Sequence, residues 1–209
     1  FKLFKKIVKP VLFAGKPVLI RGKHGIGKSE VVYEIANFLS WDDKNQKLVI
    51  SDSPVNNCYE VVERRASQMT EGDLVGLPVI SGNRTAFNPP DWYKIACEKP
   101  VLLFVDEIDR GTIEVRQGFF EMTDSRKLNG HKLHPGTVIV GAVNGGKHAE
   151  KYQVGEMDPA ELDRWTVFDL EPTCEDWLDW AGKDRNVHMM VWEFINGHRN
   201  HLEHEGEFE

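Results

Sequence analysis

No apolar run in the sequence approaches the roughly 20 residues that a membrane helix requires, so no membrane segment is expected. Cysteine is scarce. Cys58, Cys97 and Cys174 are odd in number, far apart and without CxxC spacing. They give no even-numbered secreted framework, and free thiols in a reducing cytoplasm are the reading. The eight histidines form no HxxxH pair backed by a carboxylate. His131/His134 and His198/His201 lie in polar turn or tail sequence and read as loop histidines rather than metal ligands. Positive charge is in deficit: a net charge of −7 argues against a general phosphate-backbone binder, while a local basic groove stays open. No repeat or low-complexity tract appears. The first residue is Phe rather than Met, so the chain reads as less than the complete gene product. With 41% hydrophobic residues, 209 residues suffice for one sizeable core and a small appendage.

The most informative stretch is residues 17–29, Pro-Val-Leu-Ile-Arg-Gly-Lys-His-Gly-Ile-Gly-Lys-Ser. Val18-Leu19-Ile20 suits a buried strand, and Gly22, Gly27, Lys28 and Ser29 fit the phosphate-loop pattern GxxxxGK[ST]. Val31, Val32, Ile35, Ala36 and Leu39 then recur at helical spacing. Glycines let successive N–H groups face phosphate oxygens, and a helix beginning near Lys28 adds its positive end to the anion site. Residues Gly22, Lys23, His24, Gly25, Ile26, Gly27, Lys28, Ser29 and Glu30 are therefore the candidate nucleotide-binding set. Lys28 would place its charge at the β- and γ-phosphates, and Ser29 would ligate Mg²⁺. The alternative is a glycine-rich turn that binds nothing. The loop reads phosphates and not the base, so it leaves ATP and GTP undistinguished.

Upstream, Leu3, Phe4, Ile7 and Val8 are expected on one face of a short basic amphipathic helix over residues 1–9, and Pro10 and Gly15-Lys16-Pro17 punctuate the entry to the first strand. Packing beside the first strand is preferred to lying on a membrane. Residues 41–47 read as a polar break, 48–50 and 59–65 as strands, and 66–78 as a loop or one turn of helix. Val79–Phe87 reads as a hairpin about Gly82-Asn83, and Asp91 as the cap of a helix to about Glu98.

Leu102-Leu103-Phe104-Val105 is a second buried strand, running into Asp106-Glu107. Two acids at the carboxyl end of an apolar strand are costly unless a cation or polar ligand meets them. Asp106 is placed to hold Mg²⁺ through water and Glu107 to deprotonate an attacking water; the competing reading is a helix cap. A helix from Thr112 to about Thr123 follows, then turn-rich sequence from Arg126 to His134. The third buried strand, 137–143, ends in Asn144, which could reach the γ-phosphate or serve as a turn residue. Asp158–Trp165 leads to a last strand at 166–170, and 173–203 reads as helical.

In this order, Gly22–Ser29, LLFVDEID at 102–109, Asn144 and ELDRW at 161–165 resemble the Walker A, Walker B, sensor 1 and arginine-finger elements of an AAA+ ATPase. Ser67-Gln68, then Asp73–Pro78 and a hairpin, resemble the MoxR branch of bacterial and phage ATPases. The resemblance covers about residues 10–172 and implies an α/β P-loop NTPase fold, a three-layer parallel-sheet core with an inserted hairpin at about 77–90. It implies a core domain over 1–172 and the start of a helical lid with its tail over 173–209. It further implies ATP and Mg²⁺ as cofactors, Lys28, Glu107, Asn144 and Arg164 as catalytic residues, and Ser29 and Asp106 at the metal. Arg164 would act in trans in a homo-oligomer, a hexameric ring, although Trp165 stands where the pattern has Phe; a salt bridge to Glu161, Asp163 or Asp169 is the alternative. Arg126 is the fallback for the intersubunit role, and Arg185 or Arg199 for a sensor 2 arginine. The client implied is a protein. A nucleic-acid motor with Lys127, Lys132 and Lys147 lining a pore, and a nucleotide-gated scaffold with little turnover, are the rival readings.

Overall fold

Continuous apolar runs with few polar interruptions build a sheet buried on both faces, and here they do so in parallel. The computed structural model describes residues 1–145, 157, 159–183 and 187–202. Expectations placed on Gly146, Lys147, Asp158, Arg185 and residues 203–209 lie outside the described residues. The strands β1 (Val18–Gly22), β4 (Glu60–Arg65), β7 (Val101–Asp106), β10 (Val138–Asn144) and β11 (Thr166–Asp169) form one five-stranded parallel sheet, in the order β11-β1-β10-β7-β4. Numbered along the chain, this is 5-1-4-3-2, so β1 and β10 lie side by side at the centre although far apart in sequence. The strands β7 and β10 are buried almost throughout. Helix α2 (Lys28–Ala36) packs on β4, β7 and β10, and α4 (Asp91–Glu98) packs on β7.

The unit Leu3–Leu170 also holds α1 (Lys2–Phe13, from its second residue), α3 (Glu71–Val75), α5 (Ile113–Ser125) and α6 (Pro159–Leu162). Among the described residues it also has three antiparallel pairs: β2 (Leu39–Asp42) with β3 (Lys47–Ile50), β5 (Leu77–Ser81) with β6 (Arg84–Asn88), and β8 (Lys127–Leu128) with β9 (His131–Lys132). The second unit, Phe1–Lys2 with Glu171–Glu209, contains α7 (Cys174–Lys183) and α8 (Met189–Gly197). There Thr173 and Asp176 exchange hydrogen bonds at the start of α7, and Trp192 Nε1 donates to the Leu178 carbonyl at 2.9 Å.

Several expectations are corrected. Helix α1 runs through Pro10 to Phe13 and buries Phe4, Val8 and Leu12, leaving Leu3 and Ile7 exposed. Tertiary packing thus selected a 4-8-12 stripe over the 3-4-7-8 face. Leu39 belongs to β2 rather than to the helix after the phosphate loop, because the chain leaves the helix at Asn37 to pair with β3. The polar break at 41–47 is the end of that ladder. Pro90, not Asp91, occupies the N-cap of α4, where no side chain makes a capping bond. No described helix is long and apolar enough to cross a membrane.

Candidate functional site

The register of the central strands assembles the site. Gly22, the last residue of β1, pairs with Asn144, the last of β10, so the start of the glycine loop and the expected sensor are neighbours. Gly25 and Gly27 hold φ values of 72° and 87°, a left-handed backbone that favours glycine. At Gly22 a Cβ would lie 2.6 Å from Ile26 Cδ1 and 2.7 Å from the Leu170 carbonyl oxygen. Only glycine therefore lets the loop close over the strand end. Helix α2 begins at Lys28 with Val31 N–H donating to the Gly27 carbonyl, so its amino end opens onto the loop.

Lys28 is 7% exposed, and its Nζ donates to Gly22 O at 3.0 Å, Lys23 O at 2.8 Å and Asn144 Oδ1 at 2.8 Å. Burial pushes its ammonium pKa down, while the charges of Asp106, Asp109 and Glu107 pull it back up. The lysine is thus a buried cation facing acids, held by acceptors at the ends of both central strands. Ser29 follows in the first turn of α2, half-buried, and Glu30 is exposed.

Strand β7 delivers the acids. Burial raises the Asp106 carboxyl pKa, and the Glu107 N–H, donating to Asp106 Oδ1 at 2.9 Å, offsets part of that. Glu107 sits at φ 54°, ψ 42°, a left-handed conformation that a non-glycine residue adopts at a cost. Its Oε2 accepts a hydrogen bond from Ser67, and Arg110 Nη1 is 3.6 Å from its Oε1. Asp109 is buried; one oxygen accepts the Asn144 N–H at 3.0 Å, and the other has no hydrogen-bond partner among the described residues. Burial raises the Asp109 carboxyl pKa.

The expected residues Gly22, Lys23, Lys28 and Asn144 are therefore in direct contact, with Asp106 and Glu107 close enough to act on the Lys28 charge. Ser67 and Asp109 were not expected in the site. Ser67 stood in the sequence only as part of a resemblance, and its signal was a polar residue just past a strand ending in Arg64-Arg65. The signal for Asp109 was a third acid in LLFVDEID, too hydrophobic a segment for it to be surface decoration.

Arg164 is drawn elsewhere. Its Nε lies 3.4 Å from Asp124 Oδ2, its Nη1 donates to the Ala160 carbonyl, and its guanidinium stands 5.6 Å from the Phe120 ring centroid. The three acids named as alternative partners do not hold it in those contacts, and Glu161 and Asp169 pair with Arg116 and Arg21. Trp165 is buried in the core beside Gly141 and anchors this segment. Arg126 donates from Nη2 to the carbonyls of His134, Pro135 and Thr137 at 3.1, 3.3 and 2.6 Å, pinning the turn after α5.

A hydroxyl at Ser29 and a carboxylate at Asp106 are hard oxygen donors that fit Mg²⁺, which is held by few protein groups and shares phosphate and water oxygens. Among the described residues no three His, Cys, Asp or Glu side chains converge on a metal site.

No family model matches the chain, and no curated protein matches it significantly. Among solved structures it is similar to a candidate ATPase from Cytophaga hutchinsonii, at TM-score 0.56 and 14% identity over 88% of this chain and 52% of that one. It is also similar to Hsp104 in a closed-state reconstruction with ATPγS and FITC-casein, at TM-score 0.58 and 14% identity over 88% of this chain and 36% of that one. The chain spans about half the length of the first and about a third of the second. At this identity the likeness shows the fold alone: a central five-stranded parallel sheet with helices packed on it, the architecture shared with those two structures.

Proposed function

We propose that the chain binds and hydrolyses ATP with Mg²⁺ in a MoxR-like ring homo-oligomer, a hexamer as the AAA+ resemblance implies, that remodels a partner protein. The observation that carries this reading is Lys28, buried between the ends of β1 and β10 and bonded to Asn144, with Asp106 and Glu107 at the end of the adjoining strand. A glycine turn that bound nothing would have no reason to bury a lysine opposite three carboxylates.

In this reading the loop 22–29 and the amino end of α2 take the phosphates, and Lys28 exchanges its carbonyl acceptors for β- and γ-phosphate oxygens. Ser29 and Asp106 would hold Mg²⁺, which supplies charge neutralisation at the phosphates. Glu107 accepts a proton from the water attacking the γ-phosphorus as the β–γ bridging bond breaks, and Asn144 orients that water or the γ-phosphate. Arg164 would donate to the neighbouring subunit's γ-phosphate after leaving Asp124. The β5–β6 hairpin, just after α3, supports the MoxR-like assignment; residues 173–209 are proposed as the start of a lid domain beyond a core over 1–172. Free Cys58, Cys97 and Cys174 support a reducing, cytoplasmic setting.

Glu107→Gln tests the core of the proposal. ATP binding should persist while turnover falls by about 10²–10⁴-fold. Unchanged turnover removes Glu107 from the mechanism. The nucleic-acid reading draws on one observation: Lys127 and Lys132 face each other across the β8–β9 ladder. Like charges placed opposite one another are unfavourable without a counter-charge. Salt-sensitive stimulation of turnover by DNA would favour that second reading.

A further inference from the structure

Helix α5 carries Arg116, Phe120 and Asp124 at i, i+4 spacing, so the three side chains share one face. That face holds the segment around α6 at two levels. Arg116 Nη1 lies 3.3 Å from Glu161 Oε2, while Phe120 and Asp124 hold the Arg164 guanidinium. The segment needs such support, because α6 is a single turn and one turn does not hold its shape in water. Two tertiary anchors bracket Arg164: the Glu161 carboxylate on α5, and the Trp165 ring in the core beside Gly141. The Glu161 carbonyl also accepts the Arg164 N–H at 3.4 Å, so an anchored Glu161 fixes the backbone from which the guanidinium extends.

The two ion pairs on this face differ in burial. The Arg116 and Glu161 side chains are 13% and 10% exposed, whereas those of Arg164 and Asp124 are 33% and 63% exposed. A pair shielded from water is screened less, and parting it strands charges where solvation is poor. The pair nearer solvent is therefore the one that yields first. When the Arg164 side chain leaves Asp124, the Arg116–Glu161 tie stays, and the arginine swings from a fixed root.

We propose that Arg116 and Glu161 are positioning residues that fix the root of the turn from which Arg164 reaches the nucleotide of a neighbouring subunit. This rests on the trans role proposed for Arg164. A group that stabilises charge on a transferring phosphoryl must be placed closely, and a displacement of about 1 Å costs about 10²-fold in rate. Loosening the tie moves the backbone that carries Arg164 while leaving the loop at 22–29 and the acids of β7 untouched.

ATP turnover by Glu161→Ala tests this, alone and mixed with Lys28→Ala subunits. Its kcat should fall about tenfold or more, with KM for ATP within about threefold of the wild type. Lys28→Ala subunits lack a working loop but keep both anchors. In an equal mixture half of the sites have a working loop and half of those face an anchored arginine, so about one quarter of wild-type activity should return. A folding defect in the variant's own chain would not be repaired from a neighbour. Arg116→Ala/Glu161→Ala removes both charges together, strands neither, and should behave alike; it takes the place of Glu161→Ala where the single change melts below the assay temperature. A kcat within threefold of the wild type in these folded variants, with Arg164→Ala inactive, overturns the positioning role and leaves the trans arginine standing. A loss that Lys28→Ala subunits repair in Arg164→Ala but not in Glu161→Ala overturns it too. Wild-type turnover by Arg164→Ala removes the arginine from the reaction, and the positioning role with it.

Discussion

The Ser67 hydroxyl donates a hydrogen bond to Oε2 of Glu107, forty residues away in sequence. Sheet register makes this possible: Arg65, the last residue of β4, pairs with Asp106, the last of β7, so the residues just beyond each strand meet. Hydrogen bonds to an ionised carboxylate contribute about 1.5–3 kcal/mol, and this one occupies one of the two oxygens that a base would turn toward water. Ser67→Ala should therefore raise basal ATP turnover, by about 10- to 150-fold if the full bond must break before each attack and by less if it only loosens, with little change in KM. Slower turnover would mean that Ser67 instead orients Glu107 for the reaction.

Contiguous pattern was legible in the sequence. The loop at 22–29, the acids at 106–107 and Asn144 each sit at the end of an apolar run, and strand ends are where a parallel sheet gathers its polar groups. What pairing alone decides was not visible. Nothing local says that Gly22 lies beside Asn144, or that Ser67 reaches Glu107. Nor could local pattern place Pro10 inside α1: the stripe Phe4-Val8-Leu12 wins because the core accepts it. Nor does local pattern reveal the Arg164 partner, since Asp124 lies on α5, 40 positions upstream of the turn that carries Arg164.

Glu107 occupies a left-handed backbone conformation, which costs a side chain with a Cβ about 1–2 kcal/mol. Glycine escapes that cost. Removing the carboxylate by Glu107→Ala and by Glu107→Gly should abolish turnover alike, but the glycine variant should melt higher, by about 2–4 °C for each kcal/mol of strain relieved in a chain of this size. Elsewhere in a protein the order is usually the reverse, since glycine loses more backbone entropy on folding. An alanine variant that melts at or above the glycine variant would show that this backbone carries no strain.

Asp109 fixes Asn144 from behind: its Oδ2 accepts the Asn144 N–H at 3.0 Å, and Asn144 Oδ1 in turn accepts from Lys28. Asp109→Leu leaves that buried N–H without an acceptor, which costs about 1–3 kcal/mol of stability. Asp109→Asn retains an acceptor and removes a buried charge, so it should fold at least as stably as the wild type. If Asp109 acts through Asn144, the asparagine variant should keep most of its kcat while the leucine variant loses it at saturating ATP. Equal kcat losses in both would point to the charge of Asp109 rather than to its hold on Asn144.

Arg164 is held at rest by Asp124, Ala160 and the Phe120 ring, so any role toward a neighbouring subunit requires it to leave them. The ion pair with Asp124, half-exposed, contributes about 1 kcal/mol or less, and the carbonyl bond and ring contact must be given up with it, so the departure costs a few kcal/mol that contact with the phosphoryl has to offset. Arg164→Ala should lower turnover by about 10³–10⁵-fold if the guanidinium meets the transferring phosphoryl, with ATP binding retained. A trans role has a further signature. Lys28→Ala subunits lack a working loop but still carry Arg164, whereas Arg164→Ala subunits keep the loop. In a random equal mixture, half of the sites have a working loop and half of those face an intact arginine, so about one quarter of wild-type activity should return. Two inactive proteins that stay inactive when mixed, under conditions in which wild-type subunits are shown to exchange, would confine Arg164 to its own chain. Its work would then be to tie α6 to α5 beside the buried Trp165.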